Sequence, residues 1–263
     1  MESNATNSHN KSLTKKRSYV NTLVLASLFV ALSLVLKVAF EIYFTPDLRF
    51  NFCDVPLMLS GIVLGPIWGF AAGVISDLIN FAIKPGGSVI HIGFTLSSGL
   101  VCMIPGLVFW LDKKRKSSKI KYSVLNAATF VVLLVGMVCL FMKTGIARFE
   151  SGQLWINDAP VSWLVIGILL VIFVAYSVFL VWFLRRKEDS STVIGADKIL
   201  FSVSAAQIVC RLILNAIFLF DLYGMSTLLT LPMRFMKTMI TIPIFSLLCF
   251  VLANAIKKFK LIK

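Results

Sequence analysis

The sequence predicts an all-α integral membrane protein of about eight spans. Three observations predict it. Of the 263 residues, 58% are hydrophobic and 14% charged, against about 25% charged in an ordinary soluble domain. Several apolar runs approach or exceed the roughly 20 residues that cross a bilayer as a helix. The lysines and arginines gather in short segments between those runs, the positive-inside pattern. A formal net charge of +14 would suggest nucleic acid as the partner of a soluble protein. Its placement between apolar runs argues against that reading.

Residues 1–18 are polar, end in Lys15-Lys16-Arg17 and read as a disordered cytoplasmic tail. The run from Tyr19 to Phe40 is longer than the roughly 7–15-residue core of a signal peptide, so it reads as a retained first span. The stretch from Asp54 to Trp110 organises the rest of the chain. Gly61, Gly65, Gly69 and Gly73 fall every four residues and would share one face of a continuous helix. Pro66 after Gly65 predicts a break instead, with two helices whose glycine faces let backbones approach closely. The spans are then about 54–65, 66–84, 92–111, 123–143, 159–184, 197–222 and 232–256. The 54–65 segment is too short to cross upright alone at about 1.5 Å per residue.

Charge placement tests the count. With eight spans, the basic segments at 112–121, 185–189 and 257–263 fall on the same side as the N-terminal tail. The opposite loops at 41–53, 85–91, 144–158 and 223–231 hold Arg49 and Arg148 as their only cations. Both termini are therefore expected in the cytoplasm. Merging 54–65 with 66–84 would put the strongest basic loop outside.

This topology gives each polar residue a depth. Lys37 and Glu41 stand four apart at the outer end of the first span, suited to an ion pair. Asp77, Asn80 and Lys84 lie toward the outer end of the third span, and His91, Thr95 and Ser98 at the outer part of the fourth. Ser204, Gln207, Arg211 and Asn215 form one stripe, and Arg234, Lys237, Thr238 and Thr241 open the last span. Helix–helix contacts and a buried Asp77–Arg211 pair would account for single residues. For the set, one outward-facing polar cavity is the better account, and its excess of cations favours an anionic or carboxylate-bearing ligand. Tyr43, Phe50 and Phe94 are candidates to stack on a planar ring. The middles of 123–143 and 159–184 carry no ionisable residue and suit lipid contact, so these two helices read as an insertion.

Other chemistry has little support. There is no GxxxxGK[ST], HExxH or GxSxG. A membrane enzyme would have to rest on Asp77 with His91. The five cysteines are scattered without a CxxC and read as packing residues, so no metal and no cofactor is implied.

Four stretches carry a family resemblance. LRFNFCDVPLMLSGIVLGPIWGFAAGVISDLI resembles the loop-1 arginine, the P-x-x-x-x-G-x-x-x-G-P run and the G-x-x-x-D run of the substrate-binding S components of energy-coupling factor (ECF) transporters. PGGSVIHIGFTLSSGL resembles their GFTL segment, with Ile92 where proline is usual. ILNAIFLFDLYG and LPMRFMKTMITIPIF resemble their fifth and sixth helices, and the folate group is the most similar.

The resemblance implies a six-helix S-component bundle with two additional inserted transmembrane helices. Residues 19–111 would supply helices 1–4, 112–196 the insertion, and 197–263 helices 5–6 with a basic cytoplasmic C-terminus. It implies a non-catalytic subunit that binds a folate-like vitamin, or another small compound, from outside. Such a subunit works with a transmembrane T component and two ATPase subunits in the cell membrane. The implied ligand-binding residues are Arg49, Phe50, Asp77, His91, Phe94, Thr95, Arg211, Asn215, Arg234 and Lys237. Ala26, Ser27 and Ala31 are the implied T-component face.

Overall fold

The computed structural model describes residues 2–40, 42–45, 48–50, 52–83, 92–114, 122–143, 147–150, 153–156, 159–160, 195–223 and 227–258. Helix α1 (Glu2–Ala39) is followed by strands β1 (Ile42–Thr45) and β2 (Leu48–Phe50), then α2 (Asp54–Leu64), α3 (Pro66–Ile83) and α4 (Ile92–Lys114). Next come α5 (Tyr122–Lys143) and strands β3 (Ala147–Glu150), β4 (Gln153–Ile156) and β5 (Ala159–Pro160). The rest is α6 (Ala196–Ala206), a π-helical stretch (Gln207–Leu214), α7 (Asn215–Tyr223) and α8 (Thr227–Lys258).

Five described stretches are long and apolar enough to cross a membrane: Tyr19–Ala39, Pro66–Ile83, Ile92–Lys114, Ala196–Phe218 and Lys237–Ile256. The span expected at 159–184 opens in strand β5 (Ala159–Pro160) instead of in helix, and its remainder lies outside the described residues. One expectation is corrected. The N-terminal stretch read as disordered is helical and continuous with the first span, because adding residues to an already nucleated helix is far cheaper than starting one. The body is helical, as the sequence predicts, and two small antiparallel sheets are added to it in stretches read as outer loops. β1 pairs with β2, and β4 lies between β3 and β5. Backbone there must find partners, and Tyr43, Phe44, Thr45, Trp155 and Ile156 are good strand formers.

The predicted break falls at Gly65, whose φ of 97° is open to glycine and strained for other residues. Pro66 then opens α3, where its missing N–H costs nothing. The chain folds back, so Gly61 and Gly69 meet each other rather than sharing one continuous face. A Cβ at Gly69 would sit 2.6 Å from the Gly61 Cα and 3.1 Å from the Cys102 carbonyl oxygen on α4. A Cβ at Gly73 would meet the Ser98 carbonyl at 2.5 Å. Thus α2, α3 and α4 touch backbone to backbone, and no side chain fits between them.

The main core lies where α2, α4, α6 and α8 converge, with Met58, Leu59, Val101, Ile199, Val203 and Cys249 buried. A second cluster joins Leu133 of α5 to Leu200 of α6, Leu212 of the π-helical stretch and Ile242 of α8. Helix α5, expected from its apolar middle to suit lipid contact, is exposed on one face and packed on the other. Val124, Val131, Val132 and Val135 are exposed, while Asn126 and Leu133 are buried. At its start α5 is tied to its neighbours by polar groups. Tyr122 donates to Asp112 at 3.0 Å, Lys198 pairs with Asp112 at 2.5 Å, and the Asn126 amide donates to the Asp197 carbonyl at 3.0 Å.

Candidate ligand-binding site

The polar centre of the molecule is an ion pair that the sequence reading did not assign. Asp54 is the first residue of α2, and its carboxylate is buried. A helix N-terminus favours a negative charge. Arg211, on the π-helical stretch, grips it in a forked pair. Nε donates to Oδ2 at 2.9 Å and one terminal nitrogen donates to Oδ1. The Asp77–Arg211 pair considered as one account of these residues does not form, and Arg211 pairs with Asp54 instead. Lys37 of α1 and Lys237 of α8 also lie within electrostatic range of Asp54. Lys237 in turn feels Arg211 and Arg234. One carboxylate faces several cations, in a helical setting where charge is costly.

Asp77 of α3 has a different set of partners. Thr95 donates to its Oδ2 at 2.9 Å and Ser98 to its Oδ1 at 3.4 Å, both from α4. Ser97, between them in sequence, points the other way. Its hydroxyl lies 2.8 Å from Asn215 Oδ1 and 3.2 Å from the Cys210 carbonyl, and its single proton serves one at a time. That arrangement leaves the Asn215 amide nitrogen turned away from Ser97. Phe94 meets Phe218 edge to face, with ring centroids 6.1 Å apart. Gln207 is buried, and its amide nitrogen finds no acceptor among the described residues.

The structure therefore brings Asp77 to Thr95, and sets Arg211 within electrostatic range of Lys237, and Lys237 of Arg234. It joins Asn215 to α4 through Ser97. Arg49 and Phe50 lie on β2, paired in register with Tyr43 and Ile42 of β1. His91 lies outside the described residues. On the implied T-component face, Ser27 and Ala31 are exposed and Ala26 is half-buried. No group of three His, Cys, Asp or Glu that could hold a metal occurs among the described residues.

The residues missed were Asp54, Ser97 and, as a member of the charge cluster, Lys37. Asp54 was legible only as the boundary of an apolar run, and its partner stands 157 positions away. One signal was available: an ionisable residue directly at the start of an intramembrane helix needs a partner.

A family model for the substrate-specific component of ECF transporters matches residues 21–170, more than half of the chain. The match begins within α1 and continues past α5 through β3, β4 and β5. The chain is 30% identical over 126 residues to the folate transporter FolT of Clostridium novyi (strain NT), covering 48% of this chain and 72% of that protein. It is 24% identical over 202 residues to the uncharacterized protein MG313 homolog of Mycoplasma pneumoniae (strain ATCC 29342 / M129 / Subtype 1), covering 73% and 70%. A crystal structure of FolT bound with folic acid is similar at a TM-score of 0.48 and 16% identity, over 88% of this chain and 92% of that one. The chain is a multi-pass membrane protein and belongs to the substrate-specific components of ECF transporters.

Proposed function

We propose that this chain is the substrate-binding membrane subunit of an ECF-type importer for a folate-like vitamin. The observation that carries the reading is the forked Asp54–Arg211 pair between α2 and the π-helical stretch, with Lys237 and Lys37 within electrostatic range of the same carboxylate. Both oxygens of Asp54 are committed to Arg211. An anionic ligand is the natural complement of the remaining positive charge, and folate carries carboxylates at one end and a planar ring at the other. The 30% identity to a protein named as a folate transporter points the same way.

In this reading Arg234 and Lys237 capture the carboxylates, aided by Arg49, and Arg211 holds the floor of the site through Asp54. Asn215 presents its amide nitrogen. Asp77, oriented by Thr95 and Ser98, is the acceptor available to ring N–H groups, and His91 is a further ligand-contacting residue. Phe94 and Phe50 stack on the ring. The chain performs no catalysis and needs no cofactor. Ala26, Ser27 and Ala31 form the face toward the T component, through which two ATPase subunits drive release. Eight spans place both termini in the cytoplasm, with 112–196 as an inserted two-helix segment between the four N-terminal helices and the last two.

Titration calorimetry of the purified protein with folic acid and a reduced folate tests this. Saturable heat with either supports it. No heat with both, together with binding of an unrelated vitamin, overturns the choice of ligand.

A further inference from the structure

Helix α5 lies in the segment read as inserted, yet it reaches the residues beside both groups of cations. Its buried positions Asn126 and Leu133 share a face with Gly136, at helical spacing. The start of that face is locked by Asn126 on the Asp197 carbonyl and by Tyr122 on Asp112. Further along, Leu133 packs in one cluster with Leu212 and Ile242, and Phe235 lies against that cluster. Leu212 directly follows Arg211. Phe235 stands between Arg234 and Lys237.

Gly136 closes the contact. A Cβ built there would lie 3.3 Å from Cε1 and 3.4 Å from Cζ of the Phe235 ring. That is tighter than most carbon contacts, so the Phe235 ring occupies the space a side chain at 136 would need and would have to give by a few tenths of an ångström. We propose that α5 is a strut that positions the cations of α8, and that Gly136 is its point of contact. The proposal rests on the anion-binding reading of Arg234 and Lys237. The physics is that of a close-packed interior, where an added methylene moves its neighbours instead of filling empty space. A side chain at position 136 drives Phe235 outward and turns the stretch of α8 that bears Arg234 and Lys237.

The test uses the full chain in detergent, with folic acid as probe. Gly136→Leu is expected to bind folic acid at least about tenfold more weakly, since small misplacements of binding groups are costly. Gly136→Ala falls between it and wild type. Adding Phe235→Leu to Gly136→Leu relieves the contact and restores most of the affinity. A ligand-free readout separates this idea from the choice of vitamin: backbone amides of residues 231–238 exchange with deuterium faster in Gly136→Leu than in wild type, while those of α2 are unchanged. If wild type binds no folic acid, the proposed ligand fails and the exchange result alone decides the strut. Unchanged exchange at 231–238 overturns the strut whatever the ligand. So does a folded Gly136→Leu of wild-type affinity. If Gly136→Leu does not fold, Gly136→Ala with and without Phe235→Leu carries the same comparison, and the absence of coupling between them refutes it.

Discussion

Replacing Arg211 by methionine separates a structural role from a ligand-binding one. The substitution keeps much of the length of the side chain and removes both donors to Asp54. Removing one partner of a buried pair costs about 3–5 kcal/mol, because the other charge is left without compensation. The geometry narrows that range. The Asp54 side chain is 5% exposed and that of Arg211 28% exposed, so a stranded Asp54 has little access to water. Lys37 and Lys237 stay within electrostatic range of Asp54 and offset part of the loss. The expected cost is therefore at the lower end, about 3 kcal/mol. Asp54→Asn leaves the more exposed partner behind and keeps an acceptor, so it costs less, about 2 kcal/mol. The double variant Asp54→Asn/Arg211→Met strands no charge and should fall short of the sum of the two by at least about 1 kcal/mol. Equilibrium denaturation of the ligand-free protein in detergent measures all three. Strict additivity, or an Arg211→Met protein as stable as wild type, would refute the claim that this pair organises the site.

Lys237→Ala should leave ligand-free stability near wild type while weakening folic acid binding by about 2–5 kcal/mol, the cost of removing a buried charge partner; calorimetry beside thermal unfolding separates the two. Gly69→Val should fail to give a folded monomer on size exclusion, because its Cβ would enter the α2 backbone at Gly61. Lys198→Ala should cost less than about 1 kcal/mol in the same denaturation assay, since both partners of the Lys198–Asp112 pair are about a quarter exposed.

How much of the fold and the site was legible in the sequence depends on the range over which each signal acts. The break at Gly65-Pro66 was readable because both residues act on their own backbone. The glycine faces were readable for the same reason: a break there implies two helices that approach closely, and the reversal at Gly65 turns Gly61 and Gly69 toward each other. Polar stripes were readable from periodicity, and Arg211 and Asn215 were found that way. Their partners were not, because periodicity says which face a residue occupies and nothing about the helix opposite. Asp77 was one candidate partner for Arg211, on charge alone. The structure gives it two hydroxyl donors from α4 instead. The strands at Ile42–Thr45 and Leu48–Phe50 were hidden inside a loop defined only by lying between apolar runs.

The π-helical stretch shows why the site could not be read from one segment. It spans eight residues, Gln207–Leu214, and π-helical turns are rare, occur mostly as single-turn bulges inside α-helices and are frequent at functional sites. Something beyond the helix has to hold it. Three consecutive residues are held from three directions. The Cys210 carbonyl faces the Ser97 hydroxyl of α4, the Arg211 guanidinium is clasped by Asp54 of α2, and Leu212 is packed among α5, α6 and α8. A backbone pinned at successive positions cannot rotate one side chain without disturbing the others. The direction of Arg211 is thus set by its neighbouring elements before any ligand arrives. In the proposed anion-binding role, this arrangement removes in advance the affinity cost of ordering a charged side chain on binding. Gln207, buried at the start of the same stretch, has an amide donor that no described residue satisfies, which leaves it as the polar group there with a hydrogen bond still to give.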